Sequence, residues 1–287
     1  MNTITNWCDA VFVINLAKRL DRLEQSICEL SKIGVPAGTH PKATRFEAYA
    51  DLIDHNGKPN GNFGCTSSHR ALLELIAFHR YNRALVLEDD FMLRPKVEGQ
   101  LNLIFDAVVR ELPDDWRILY LGGSYGENPK RRHSPHLIET NAVMTTSSYI
   151  INWRQARHMA PHISGIGPID SLFHRFNREG GCYMACPRLF VQRPSFSDLT
   201  ERMAENVTSM EDATHEEMLL DGQVEVLGPR LILNGRLQRR ELAAPHDMDG
   251  TQVIVEGKLY TILSLQLPQH RASWFRDEPV TYILKEA

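Results

Sequence analysis

Along the first two thirds of the chain, apolar positions recur in two periods that alternate with one another. An unbroken apolar run at residues 10–14, closing through Asn15 to Leu16, reads as a buried strand. After it, Leu20, Leu23, Ile27 and Leu30 have the spacing of one helical face, with Asp21 near the start and Gly34 just past the end as boundary signals. A strand is predicted near residues 45–49, and the polar, glycine-rich stretch 54–64 reads as a mobile loop. A helix from Ser68 to about residue 79 buries Leu72, Leu75 and Ile76 and delivers the chain into a strand at 84–87. Leu101, Ile104, Phe105, Val108, Val109 and Leu112 then mark the clearest amphipathic helix, before a strand at 117–121 that ends in Gly122-Gly123. The run 142–151, helices near 154–159 and 170–177, and short strands around 183–191 follow. Such alternation predicts an α/β fold, a mostly parallel sheet with helices on both faces.

Residues 203–220 are polar and methionine-rich without a clean period, and read as a lid or partly ordered loop. Beyond Pro229 the pattern changes again. Residues 251–255 and 259–267 alternate around Glu256-Gly257-Lys258, the signature of a β-hairpin. The predicted organisation is a body over residues 1–229 and a small β-rich C-terminal appendage over residues 230–287.

Length and charge narrow the classes. A chain of 287 residues can bury a sizeable core, and 32 Lys and Arg against 36 Asp and Glu give a net charge of −4. That balance shows no global footprint for nucleic acid or an anionic membrane. No apolar run approaches the ~18 residues of a bilayer span, so no transmembrane segment is predicted. The five cysteines, Cys8, Cys28, Cys65, Cys182 and Cys186, form no disulfide framework, and a cytoplasmic protein is expected. Cys182 and Cys186 read as core or strand cysteines.

The run Ala84-Leu85-Val86-Leu87-Glu88-Asp89-Asp90 holds the candidate chemistry. Three adjacent carboxylates repel one another unless a cation or a set of donors sits among them. Ligands of open α/β sheets gather beyond the carboxyl ends of such strands, and hard oxygen donors favour Mg²⁺ or Mn²⁺, ions that commonly bridge a protein to phosphate oxygens. A diphosphate ligand is the first hypothesis, and an acidic solvated turn is its rival. Strand alternation would put Glu88 and Asp90 on one face and Asp89 on the other. Lys130-Arg131-Arg132, with His133 and His136, forms a basic cluster that suits a solvated loop better than a phosphorylated or nucleic-acid acceptor.

Several separated stretches occur in order: Val13-Ile14-Asn15-Leu16 with Arg19, Asp21 and Arg22; Gly64-Cys65 with Ser68-His69; Leu87-Glu88-Asp89-Asp90; Leu121-Gly122; Pro168-Ile169-Asp170; and Pro187 through Gln192 to Ser197-Asp198-Leu199. Taken together, this ordered set resembles glycosyltransferase family 25, the lipopolysaccharide-type transferases related to collagen galactosyltransferases. The resemblance implies a GT-A-like fold, a UDP-sugar donor and an inverting transfer to a saccharide acceptor of lipopolysaccharide or capsule. It departs at Asn62, where the family usually has an acidic residue, and this keeps open a nucleotide-sugar-binding module without catalysis. Transfer to hydroxylated DNA bases is the other alternative.

For such a transfer, Asp90 is the first choice for the metal contact, with Glu88 or Asp89 as its partner or as the donor-sugar or ribose contact. Asp170 is the expected base for the acceptor proton and Asp198 its reserve, although Asp170 also suits a helix cap. Asn15, Arg19 and Arg22 follow the first strand at the edge where the nucleotide would lie, and Asn15 and Arg19 are assigned to the uracil, ribose or diphosphate; a turn cap at Asn15 and a solvated charge at Arg22 are the alternatives. Ser68 and His69, at an expected helix start, and Gly122 complete the donor set.

Overall fold

The computed structural model describes residues 3–35, 42–50, 52, 60–125, 131–163, 167–197, 202–204, 225–227, 230–233, 252–255, 258–266 and 280–286. In chain order, the helices are α1 (Ile4–Trp7), α2 (Leu20–Lys32), α3 (Gly61–His79), α4 (Leu101–Glu111), α5 (Trp153–Met159) and α6 (Ile169–Arg178). The first strands are β1 (Ala10–Asn15), β2 (Ala43–Glu47), β3 (Ala84–Glu88), β4 (Phe91–Leu93), β5 (Ile118–Tyr120), β6 (Ser124–Tyr125) and β7 (Arg131–Ser134). They are followed by β8 (Leu137–Glu139), β9 (Val143–Met144), β10 (Ser148–Ile151), β11 (Cys182–Ala185), β12 (Phe190–Gln192), β13 (Ser195–Ser197) and β14 (Arg202–Ala204). The last are β15 (Glu225–Leu227), β16 (Arg230–Leu233), β17 (Gln252–Val255), β18 (Lys258–Gln266) and β19 (Val280–Glu286).

Two compact units emerge, one from residues 1–127 and 133–210, the other from residues 128–132 and 211–287. The first is organised by an eight-stranded sheet of order β2-β1-β3-β10-β5-β11-β8-β7. Parallel pairing of β1 with β2 and β3, and of β5 with β11, together with the antiparallel position of β10 between β3 and β5, makes five strands share one direction. Strands β10 and β8 run against them.

Period-two alternation explains the burial on both faces. Val11, Val13, Leu85, Leu87, Leu119 and Ile150 join one core with Leu30 of α2 and Leu101, Phe105 and Val108 of α4. Their strand neighbours Phe12, Ile14, Val86, Tyr120 and Tyr149 join the other with Leu72, Leu73 and Ile76 of α3, Met159 of α5 and Phe173 and Phe176 of α6. Cys182 and Cys186 are buried, in keeping with core cysteines. The second unit contains a five-stranded sheet of order β15-β16-β19-β18-β17, and β17 pairs with β18 in the hairpin register expected around residues 256–257.

Two helices differ from the pattern read in the sequence. α3 begins at Gly61, seven residues before the expected Ser68, because Asn60 caps it by accepting the Phe63 N–H at 3.2 Å. The expected loop over 54–64 therefore ends at that cap, and residues 53–59 lie outside the described set. In α2 the buried face is Arg22, Ser26, Glu29 and Leu30, whereas Leu20 is 61% exposed. The spacing is helical, but the stripe that faces inward is largely polar. Ser26 donates to the Asp89 carbonyl at 2.9 Å and Glu29 accepts the Leu93 N–H at 2.8 Å, so this face satisfies backbone groups next to the acidic turn.

Gly122 shows how closely strands approach beyond β5. A Cβ there would press on the Phe190 carbonyl oxygen and stand 2.7 Å from the Ser148 hydroxyl. Gly122→Ala is expected to lower stability by about 1–3 kcal/mol, measured as a lower denaturation midpoint.

Candidate functional site

The five co-directional strands end along one edge, and the candidate residues collect there. β1 ends at Asn15, β3 at Glu88, and Gly122 follows β5, while the antiparallel β10 begins at Ser148 on the same side. β3 stops at Glu88, and Asp89 and Asp90 form a turn before β4. Strand alternation therefore does not continue through the three carboxylates, and each finds a different environment.

Asp89 faces α2. It accepts from Arg22 at 2.7 Å and from the Asn15 side-chain amide at 2.7 Å. Arg22 also donates to Ser195 Oγ at 2.8 Å and the Phe196 carbonyl at 2.7 Å. Burial pushes the Asp89 carboxyl up despite the opposing pull of Arg22 and Asn15. Arg22 is thus a buried structural partner, which excludes the alternative of a solvated charge. Asn15 is also committed inside the protein: its amide donates to the Arg19 carbonyl and its oxygen accepts from Arg45 at 2.9 Å. Arg19, expected at the nucleotide, forms a two-bond pair with Asp21 at 2.9 and 2.8 Å and donates to the Phe196 carbonyl.

Asp90 shares the Arg22 side and so parts from Glu88, with which it was expected to share a face. Its Oδ2 accepts from Gln192 at 3.0 Å and lies 3.6 Å from Arg22 Nη1. Its Oδ1 is buried without a hydrogen-bond partner. Burial first, and the Glu88 charge second, push this carboxyl up to about 7 from 3.8. A carboxyl raised in the folded state holds its proton there longer than in the unfolded chain, so its contribution to stability falls as pH rises from about 4 towards 7. With divalent ions chelated, urea midpoints should show that fall, and Asp90→Asn should flatten it.

Glu88 points instead towards α3, where its Oε1 lies 3.2 Å from His69 Nε2. His69 is fully buried, and its Nδ1 lies 3.0 Å from the Tyr149 hydroxyl. Cys65, one helical turn before His69, belongs to the same group. Burial, then the charges of Glu88, Asp170 and Asp90, raise its thiol well above the usual range. Ser68 is two turns inside α3 and does not offer a helix-start N–H. Its hydroxyl donates to the Gly64 carbonyl at 2.7 Å and accepts the Tyr49 N–H at 2.8 Å, a structural role.

Asp170 lies in the first turn of α6 but does not cap it. Its oxygens accept from the Thr145 N–H at 3.0 Å, the Thr146 N–H at 3.0 Å and the Thr146 hydroxyl at 2.8 Å. These bonds hold a turn in which Thr145 has a left-handed φ of 58°. The hydroxyls of Ser147 and Ser148, next along the chain, are buried without partners. Asp198 and Lys130 lie outside the described residues. His136 is bound to Glu111 at 2.6 Å and His133 packs on the Tyr183 ring, so neither joins this edge.

A surface groove of about 430 Å³ lies at the far end of α3, lined by Phe78, Arg80, Trp153 and Arg157 among others, and contains none of these residues. Arg22, Thr145, Thr146, Gln192 and Tyr149 are the contributors that the sequence did not single out as site residues. Arg22, Ser26, Glu29 and Leu30 recur at helical spacing, but so does the apolar stripe Leu20, Leu23, Ile27 and Leu30, and the period alone does not choose between them.

The sequence profile described as glycosyltransferase family 25 (LPS biosynthesis protein) matches residues 8–173, which take in Asn15, Arg22, Glu88, Asp89, Asp90 and Asp170 of this edge, while Gln192 lies beyond the match. The chain belongs to glycosyltransferase family 25. The family 25 body has a mostly co-directional sheet covered by helices on both faces. Among its relatives, a Bos taurus protein named probable inactive glycosyltransferase 25 family member 3 is 26% identical over 171 residues, covering 53% of this chain and 28% of that protein. Procollagen galactosyltransferase 1 of Danio rerio is 29% identical over 188 residues, covering 56% and 30%. The chain thus spans less than a third of the length of these relatives. A Drosophila β-1,4-galactosyltransferase 7 mutant, solved with manganese, UDP-Gal and xylobiose, covers 97% of this chain and 94% of its own at 11% identity and a TM-score of 0.37, too distant to assign any residue. Among the described residues, no helix is long and apolar enough to cross a membrane.

Proposed function

We propose that this family 25 chain is a metal-dependent, inverting glycosyltransferase that moves a hexose from a UDP-sugar to a hydroxyl of a saccharide acceptor in lipopolysaccharide or capsule assembly. The observation that carries this reading is the Asp90 Oδ1, a buried carboxylate oxygen without a partner at the carboxyl edge of the sheet. A hard, unsatisfied oxygen donor fits Mn²⁺ or Mg²⁺, ions that need only one or two carboxylates when substrate phosphates complete the shell. When bound, such an ion neutralises charge that develops on the departing diphosphate.

The remaining work falls to the chain's own groups. Asn15 and Arg22 hold Asp89, and with it the turn that presents Asp90. Asp170 is the base. Three of its roughly four lone-pair positions accept from Thr145 and Thr146, which leaves one for the acceptor hydroxyl. The acceptor oxygen bonds to the anomeric carbon as the bond from that carbon to UDP breaks, and the proton passes to Asp170. Asp170→Asn is expected to lower kcat by about 10²–10⁴-fold while leaving UDP binding intact. Transfer at the wild-type rate would limit Asp170 to holding the 145–146 turn.

The test of the whole reading is a thermal-shift titration in which UDP stabilises the protein more strongly with Mn²⁺ than without it, followed by a UDP-sugar panel read by UDP release. A second reading, a nucleotide-sugar-binding module without catalysis, is favoured by Asn62 and by the word inactive in the name of the Bos taurus relative. It requires the coupled UDP and Mn²⁺ shift with no turnover of any donor.

A further inference from the structure

The group formed by Cys65, His69 and Glu88 has no task in the transfer described above. Cys65 and His69 are four residues apart on α3 and so share one face of the helix, and the end of β3 brings Glu88 to that face. One ligand atom from each lies within 4.8 Å of the others. The separation of 3.2 Å between His69 Nε2 and Glu88 Oε1 is close to the edge of a tetrahedron with metal–ligand bonds of about 2.0–2.1 Å, roughly 3.3 Å.

The imidazole is also oriented as a ligand would be. Its Nδ1 meets the Tyr149 hydroxyl at 3.0 Å, so a ring that donates Nδ1–H there turns the Nε2 lone pair towards Glu88 and Cys65. The Tyr149 ring stacks on His69 at 5.9 Å and Phe173 meets it edge-on at 6.4 Å, which fixes the plane of the ring. Ligand and supporting partner are therefore both in place.

We propose that Cys65, His69 and Glu88 form a zinc site with an open fourth position. One sulfur, one nitrogen and one oxygen donor select a borderline ion such as zinc over Mn²⁺ or Mg²⁺, which prefer oxygen alone. Two ligands at i and i+4 on a helix and a carboxylate from elsewhere give the three-ligand pattern of open zinc sites, with water or a hydroxyl as the fourth group. This site is chemically distinct from the lone oxygen of Asp90. It does not rest on the donor reading, because its residues and its metal are different.

Elemental analysis of protein produced with added zinc and then desalted is expected to find about one zinc per chain. Cys65→Ser, with an unchanged circular dichroism spectrum, should bind zinc at least tenfold more weakly in competition with a chromogenic chelator, and Tyr149→Phe about tenfold more weakly. Cobalt(II) added to the metal-free wild-type protein should give the strong visible bands of a tetrahedral site and a sulfur-to-cobalt charge-transfer band that Cys65→Ser abolishes. Zinc retained at full affinity by Cys65→Ser overturns the proposal. So does a wild-type protein without bound zinc and without the charge-transfer band, a result that stands even where the variants fail to fold. In Cys65→Ser the Mn²⁺-dependent stabilisation by UDP should persist, so failure of the donor reading and failure of the zinc site are read separately.

Discussion

Asp90→Ala is expected to abolish the extra stabilisation that Mn²⁺ gives to UDP and to lower sugar transfer by about 10²–10³-fold. The reason is the asymmetry of its two oxygens. Oδ2 is held by Gln192 at 3.0 Å and is within 3.6 Å of Arg22, whereas Oδ1 is buried with nothing to receive. A buried carboxylate oxygen without a hydrogen-bond partner costs free energy, and a bound cation would remove that cost. Alanine removes the donor and the cost together, so the variant should fold at least as well as the parent while losing the metal-coupled response. A thermal-shift series with UDP, Mn²⁺ and both decides the matter. Wild-type coupling in Asp90→Ala would move the donor site away from this turn.

Arg22→Ala is expected to be the most destabilising single change at this edge, by about 3–5 kcal/mol, because it leaves the Asp89 charge buried and unpaired. In a body of this size that corresponds to a melting temperature lower by roughly 10 °C. The same substitution withdraws the donors that bind Ser195 and the Phe196 carbonyl, so the segment after β12 should become more open to proteolysis. Differential scanning calorimetry is the measurement. The double variant Arg22→Met/Asp89→Leu removes both charges and should recover most of the loss, as replacing a whole buried ion pair by apolar groups often does. A loss below about 1 kcal/mol for Arg22→Ala would place the pair in the class of solvent-screened bridges.

These two residues show where sequence pattern succeeds and where it stops. β3 was legible because Ala84, Leu85, Val86 and Leu87 form an apolar run bounded by charge, and both faces of that strand are buried. α4 was legible because its apolar stripe is clean. α2 has the same period, yet an apolar reading chose Leu20, Leu23 and Ile27 where the protein buries Arg22, Ser26 and Glu29. Nothing local announces that the backbone of a distant acidic turn needs polar partners. The start of α3 was missed for a related reason: Gly61 and Gly64 read as loop residues, whereas Gly64 packs where a Cβ would stand 2.6 Å from the Tyr49 carbonyl oxygen.

The sequence by itself determined the alternation of strands and helices, the edge at which the acidic residues gather, the hairpin at 252–266 and the family to which the chain belongs. Those properties depend on period, on turn residues and on short motifs, all of which are local. Tertiary structure alone decided the partners of each carboxylate: Asp89 with Arg22, Asp90 with Gln192 and one oxygen left over, Glu88 with His69 and Cys65, Asp170 with Thr145 and Thr146. Three consecutive acids acquire three different environments because β3 ends at Glu88 and the chain turns there. Which donors then reach each oxygen is set by how α2, α3 and α6 pack around that turn, and packing across long sequence separations leaves no period in the sequence to be read.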